Sequence, residues 1–212
     1  MIDQSLKNKL VMFSGGKDSI ATLILLHDQN IRNFTIIIAD THKYHKDVWN
    51  TIDNVLKQFA SGIPVVCLDV DRDKNWEEYG LPSDVIPMDL SQAGHYFKGK
   101  QKLLLQSKFD CCQRNIMQPI WHYAKAIGSE CIIRGNKQSD KYKDKTVNGS
   151  VVDGITYYNP IEDWTDKEVM NLLEERLDYM PDHLYLKHSS IDCVDCTAYL
   201  EDRQDYFETF LQ

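Results

Sequence analysis

The chain of 212 residues contains no apolar run of membrane-spanning length and no visible secretory signal, so a cytoplasmic protein without a membrane role is expected. It is also short of positive charge. Lys and Arg number 24 against 32 Asp and Glu, giving a net charge of −8. That balance argues against a surface that coats nucleic acid, although it leaves room for a local basic groove. No internal repeat and no low-complexity segment interrupts the chain, and its length suits one α/β domain, residues 1–212, with a substantial core. The G-x-x-x-x-G-K-[ST] spacing of a Walker loop is absent. Cysteine is not scarce: six occur, and in a cytoplasmic chain they suggest metal or redox chemistry more than structural disulfides.

What is present is organised around Ser14-Gly15-Gly16-Lys17-Asp18-Ser19. An apolar run, Leu10 to Phe13, precedes it, and an apolar-periodic segment, Ile20 to Leu26, follows. The pattern reads as strand, glycine loop, helix. Paired glycines let backbone N–H groups turn toward a ligand, and the helix N-terminus behind them adds partial positive charge. Lys17 would bring a full charge to phosphate oxygens, and Ser14 and Ser19 would bring hydroxyl donors. The plain alternative is an ordinary strand-to-helix turn, but the joint occurrence of glycines, Lys and Ser favours a phosphate loop.

Further along, Thr35 to Ala39 is a continuous apolar strand of the buried parallel kind, ending at Asp40-Thr41. Asp40 could hold Mg²⁺ or a ribose hydroxyl, or cap the next helix. Helical periodicity runs from Val48 to Phe59, and Pro64 to Leu68 reads as a third strand in which Cys67 is a buried core residue. Asp69 to Gln106 is poorly patterned. Loops and short helices are expected there, as a lid or as solvated chain, with His95 and Lys98 to Lys102 within reach of an anion in the first case. A helix is expected from Cys111 to about Ile127, then a strand at Cys131 to Ile133 ending in Arg134-Gly135. Arg at a strand end suits bidentate phosphate binding, with a surface ion pair as the alternative. Asn136 to Lys145 is a polar, lysine-rich loop. Hairpin turns are signalled by Asn148-Gly149 and Asp153-Gly154, and Thr165 with Glu168 forms a capping box for a helix to about Leu177.

The loop resembles that of the N-type ATP pyrophosphatases, the PP-loop superfamily. Ala39-Asp40-Thr41, Arg134-Gly135 and Pro160-Ile161-Glu162-Asp163-Trp164-Thr165 resemble segments of its phosphoadenosine phosphosulfate reductase family. The resemblance implies a doubly wound, mostly parallel α/β sheet of the adenine nucleotide alpha hydrolase-like type. It implies ATP with Mg²⁺ at Ser14, Gly15, Gly16, Lys17, Asp18, Ser19, Asp40, Arg134 and Gly135, with Lys17 and Arg134 catalytic.

Cys111-Cys112 and Cys193-x-x-Cys196 could ligate a 4Fe–4S cluster or a zinc ion; buried thiols or a Cys193–Cys196 redox pair are the other readings. The spacing is similar to the cluster pattern of iron–sulfur adenosine phosphosulfate reductases, which implies a 4Fe–4S cluster. Adjacent cysteines point about 100° apart on a regular helix, so both reach one cluster only if the helix is locally distorted. Two departures from the reductase pattern stand out. No cysteine follows Cys196, where those reductases carry a nucleophilic tail thiol, and Asn115-Ile116 occupy the places of an Arg-Lys pair while Arg114 is displaced. With an intact phosphate loop, they favour an ATP-using enzyme that adenylates an acceptor oxygen while the cluster supplies or relays sulfur. The alternatives are a sulfonucleotide reductase using an external thiol, and a non-catalytic nucleotide-binding or redox-sensing module. The implied partners are an adenine nucleotide, a sulfur acceptor that is a nucleic acid or a small metabolite, and a sulfur-donor or thiol-reductant protein. A homo-oligomer is compatible with the sequence.

Overall fold

The computed structural model describes residues 2–45, 47–84, 104–138, 147–181, 184, 191 and 193–198. His95, Lys98 to Lys102 and most of the Asn136 to Lys145 loop lie outside the described residues. The chain divides into two compact units. One comprises Met1–Ile38, Lys46–Leu68 and Trp121–Tyr185; the other comprises Ala39–His45, Asp69–Ile120 and Leu186–Gln212.

The first unit is built on a six-stranded sheet. Its strands are β1 (Lys9–Met12), β2 (Phe34–Asp40), β3 (Val65–Asp69), β6 (Cys131–Ile133), β7 (Val151–Val152) and β8 (Ile155–Tyr158), in the order β3-β2-β1-β6-β8-β7. β1 runs parallel to both β2 and β6, and β6 runs parallel to β8. β7, joined to β8 through Asp153-Gly154, runs antiparallel to it. Both turn residues have positive φ (49° and 81°), as the tight hairpin expected from the sequence requires.

Helices α1 (Lys17–Asp28), α2 (Val48–Phe59) and α6 (Asp166–Arg176) flank the sheet. α1 packs against α2 and α6. Ile20, Leu23 and Ile24 on α1, together with Ile36, Ile37, Ile132 and Ile133 on the strands, are fully or almost fully buried. β-branched residues suit a pleated surface covered on both faces, so the run Ile36-Ile37-Ile38 forms a central strand rather than a helix. The architecture is the expected α/β fold with a mostly parallel sheet.

β3 departs from expectation. Its apolar run suggested burial, yet it is the edge strand, and Cys67 is exposed where a core position had been expected. An edge strand has a neighbour on one side only, and an apolar run does not reveal which strand ends up there.

The second unit contains α3 (Arg72–Tyr79), β4 (Leu81–Ser83) paired in parallel with β5 (Leu105–Ser107), and α4 (Lys108–Cys112). α4 passes into a π-helical turn, Gln113–Met117, and the chain continues as α5 (Gln118–Ala126). α4 therefore begins three residues before the cysteine pair expected to open it. Ser107 sets the boundary, its Oγ accepting from the N–H of Phe109 at 3.3 Å.

The capping box of α6 forms as expected. The Thr165 hydroxyl accepts from Glu168 N–H at 3.3 Å, and the Glu168 carboxylate accepts from Thr165 N–H at 2.7 Å. Replacing Thr165 with Ala is expected to cost about 1 kcal/mol of stability, read as a lowered denaturation midpoint. An unchanged midpoint would show that packing alone holds the helix start.

Candidate phosphate loop and cysteine cluster

β1 lies between β2 and β6, and the chain leaves it for β2 on one side and returns to β6 on the other. In an open parallel sheet such a reversal leaves a crevice at the carboxyl ends of the two strands. Leu10 pairs with Ile132 and Val11 with Ile133, so the segments following β1 and β6 emerge side by side. They are Ser14–Ser19 and Arg134–Gly135, two of the segments singled out in the sequence.

The loop is tightly specified. Gly15 has φ +76°, and a Cβ there would lie 2.7 Å from Ile52 Cγ1 on α2. Gly16 is the N-cap of α1 and offers no side chain to cap it. The hydroxyls tie the loop to itself: Ser19 Oγ donates to Gly16 O at 2.9 Å and accepts from Ser14 N–H at 3.3 Å. From the β6 side, Gly135 presses on the helix start. A Cβ at Gly135 would fall 2.6 Å from both the carbonyl carbon and the oxygen of Asp18.

Charge at the loop is paired rather than bare. Lys17 Nζ lies 3.0 Å from Asp166 Oδ1. Lys137, whose side chain is only 1% exposed, places Nζ 2.6 Å from Asp18 Oδ1 and 3.3 Å from the same Asp166 oxygen. Hydrogen bonding from Lys17, reinforced by the charges of Lys17 and Lys137, holds the Asp166 carboxyl below the usual carboxylate range. Its ion pairs therefore persist at neutral pH and are lost only as the pH falls through that lowered value. Two ammonium groups thus converge on one oxygen position beside a helix N-terminus, an arrangement able to receive a phosphate oxygen in place of the carboxylate. Arg134 stands at the end of β6, with its guanidinium 4.8 Å from the Tyr157 ring centre and Nε donating to Asn159 Oδ1 at 3.3 Å. It is buried, not the surface ion pair considered as the alternative.

Lys137 and Asp166 were not picked out in the sequence. Lys137 was indistinguishable from the other lysines of its loop, and Asp166 looked like an ordinary first-turn acid. Their meeting depends on β6 and α6 converging on the same strand end. The available signal was position alone: each lies within three residues of a motif already noted, Arg134-Gly135 or the Trp164-Thr165 segment.

In the second unit, Asp40 Oδ1 accepts from the His42 N–H at 2.8 Å. The N-cap of α2 is Asp47, so Asp40 caps a local turn and not that helix. His42, also unremarked in the sequence, has φ +58° and places Nε2 2.5 Å from Asp69 Oδ1 and Nδ1 3.6 Å from Asp40 Oδ2. The hydrogen bond to Asp69, and then the Asp40 charge, raise its pKa.

All four candidate cysteine ligands belong to the second unit. Cys111 and Cys196 are buried, Cys112 and Cys193 half-buried, and no disulfide joins them. The π-helical turn begins at the residue after Cys112, so the helix is distorted beside the pair whose divergence required it. Cys111 Sγ accepts from Trp76 Nε1–H and from Asn115 Nδ2–H, each at 3.4 Å. Cys193 Sγ lies 3.7 Å from Thr41 Oγ1. Burial pushes the Cys111 thiol up. The second unit thus carries four thiols, with two N–H groups donating to one of the sulfurs. Among the described residues, no group of three or more Cys, His, Asp or Glu side chains stands at metal-holding spacing. Cys131 lies apart on β6, where burial pushes its thiol up to about 12.

Because backbone, not a flexible side chain, occupies the space at Gly135, Gly135→Ala is expected to cost roughly 1–3 kcal/mol by overpacking. A melting temperature equal to that of the parent would show that the loop yields freely.

Comparison with known proteins places this geometry. The family profile described as Phosphoadenosine phosphosulfate reductase domain matches residues 8–199. Among solved structures, one that resembles the chain is the crystal structure of phosphoadenylyl-sulfate (PAPS) reductase from Candida auris, phosphate complex. The TM-score is 0.54 at 16% identity, over 88% of this chain and 81% of that one. At that identity the likeness speaks for the fold. A search of curated proteins returns no match. The family profile spans the phosphate loop, the Arg134-Gly135 strand end and both cysteine pairs, and the chain belongs to the phosphoadenosine phosphosulfate reductase domain family.

Proposed function

We propose that the loop holds a phosphate group of an adenine nucleotide and that the chain carries out sulfur-transfer chemistry there, as a thiol-dependent reductase of adenosine phosphosulfate or its 3′-phosphate. Family membership supports sulfonucleotide chemistry. The observation that carries the phosphate assignment is the convergence of Lys17 and Lys137 on Asp166 at the mouth of the glycine loop.

The chemistry balances as follows. A thiolate attacks the sulfonate sulfur, and the bond from that sulfur to the phosphate oxygen breaks. The nucleotide leaves with the bonding pair, and a thiol-bound sulfonate remains. A second thiol then attacks that sulfur-bearing thiol, forming a disulfide and releasing sulfite. Lys17 and Lys137 stabilise the charge that grows on the leaving phosphate, and the loop N–H groups hold its oxygens in a fixed cradle. Arg134, locked by Tyr157 and Asn159, fixes the β6 strand end that carries Gly135. On this reading the attacking thiol is supplied by a partner protein or a small thiol. Cys111, Cys112, Cys193 and Cys196 would hold a 4Fe–4S cluster, which would supply redox capacity in that unit.

A second reading is favoured by the intact loop, Ser14 to Ser19. ATP with Mg²⁺ would adenylate an acceptor oxygen on a nucleic acid or small metabolite, and pyrophosphate would leave against Lys17 and Arg134. The two readings part on products. The first expects sulfite from a sulfonucleotide with a dithiol reductant, and no pyrophosphate from ATP. ATP-dependent pyrophosphate, with no sulfite from either sulfonucleotide, would establish the second.

On either reading Lys17→Ala should lower turnover by roughly a hundredfold or more, since a preorganised charge acts chiefly on the transition state. Its fold should be kept, because a half-exposed lysine adds little to the core. Asp166→Asn should act in the opposite direction on binding. With the competing carboxylate gone, inorganic phosphate should bind several-fold tighter by calorimetry, in line with the strength of a partly exposed charge contact. Weaker phosphate binding in that variant would show that Asp166 orders the lysines instead of standing in for the anion.

A further inference from the structure

Within the second unit one buried cation is surrounded by the cysteine-bearing segments. The side chain of Arg72, on the first turn of α3, is 2% exposed. Nη2 donates to Asp195 Oδ2 at 3.0 Å and Nη1 donates to the other oxygen of that carboxylate, a bidentate pair. Nε donates to Asp73 Oδ1 at 3.1 Å. Asp195 lies inside the turn Cys193-Val194-Asp195-Cys196. The guanidinium also lies 3.7 Å over the ring of Trp76, one helical turn on, and the Trp76 indole N–H is one of the two donors to Cys111 Sγ. One face of α3 therefore touches both cysteine pairs.

The turn itself is laid alongside the end of β2. Cys193 pairs with Lys43 in a parallel bridge, Val194 N–H donates to Lys43 O at 2.9 Å, and Lys43 Nζ reaches Asp73 Oδ2 at 3.1 Å. Burying a guanidinium is costly unless its partners are fixed, and a bidentate pair fixes orientation as well as charge. The phosphate chemistry above makes no use of this residue.

We propose that Arg72 and Trp76 are positioning residues for the cysteine cluster. Arg72 clamps the Cys-x-x-Cys turn through Asp195, and Trp76 fixes the Cys111 sulfur through its indole N–H. The inference is independent of which nucleotide the loop accepts, and its readout does not involve turnover.

The test compares Arg72→Met, Asp195→Asn, Trp76→Phe and the double variant Arg72→Met/Asp195→Asn, each as the full chain purified anaerobically. Alkylation rates are read cysteine by cysteine by mass spectrometry, with iron, sulfide and zinc content measured on the same samples. Releasing the turn should raise labelling of Cys193 and Cys196 about tenfold or more by local opening, with buried Cys131 protected throughout. If the two residues act through one contact, the double variant labels no faster than the faster single variant. Trp76→Phe keeps an aromatic ring on that face of α3 and removes the N–H with the rest of the pyrrole ring, so labelling should rise at Cys111 and not at Cys193. Metal content, where the parent carries it, should fall in step with labelling. Additive effects of Arg72→Met and Asp195→Asn, or unchanged labelling at the named cysteines, would overturn the proposal. If Arg72→Met exposes Cys131 and so has unfolded, Asp195→Asn and Trp76→Phe decide alone: unchanged labelling of Cys193 in the first or of Cys111 in the second overturns it.

Discussion

The contact on which the candidate site depends is the approach of Gly135 to the backbone of Asp18. A Cβ there would be 2.6 Å from the Asp18 carbonyl, a distance no side chain tolerates. This closeness follows from the sheet. β1 and β6 are parallel neighbours in register, so the segments beyond them leave the sheet together. Gly15, against Ile52, performs the same service toward α2. The loop is thus held from two sides by positions where only hydrogen fits, and its shape is set by packing before any ligand arrives.

Packing also explains how the charges came to be gathered. With the start of α1 fixed, Asp18 points to Lys137, which follows β6 by only a few residues and has almost no exposed side chain. Asp166, at the start of α6, then closes the set by reaching both Lys137 and Lys17. The capping box fixes where α6 begins, and hence where Asp166 stands. A purely local signal in the sequence, Thr165 with Glu168, helps to place a residue that acts at long range.

That division marks what could be read from the chain. The glycine loop, the central strands, α2, the hairpin and the capping box each depend on residues close in sequence, and each was legible. Elements whose character depends on distant neighbours were not. The run Val65 to Leu68 is as apolar as a core strand, but its edge position exposes Cys67. Ser107 starts α4 ahead of Cys111, and β4 and β5 pair across twenty-odd residues with no alternation to announce them. Lys137, Asp166, His42 and Arg72 acquire meaning only from partners 27 to 149 residues away. The need for a distorted helix beside Cys111-Cys112 could be argued from helix geometry; its form as a π-helical turn could not.

The overall acidity of the chain and a site for an anion are compatible for the same reason. Net charge counts Lys17 and Lys137 equally with the carboxylates they meet, so the count conceals their arrangement. In the resting chain each ammonium already has a carboxylate, and neither presents as a basic patch. Exchanging the Asp166 carboxylate, which is 67% exposed, for a phosphate oxygen replaces one anion by another at the same cations. Lys137 need not be stripped of water at that moment, because its burial was accomplished on folding. The released carboxylate returns to solvent, where it is well hydrated. A phosphate carrying two charges gains more from the pair of ammonium groups, and from the helix N-terminus, than a single carboxylate does. On the proposed reading, selectivity for a phosphate over a carboxylate ligand would follow from the resident carboxylate itself, since an incoming ligand would have to improve on Asp166 to displace it.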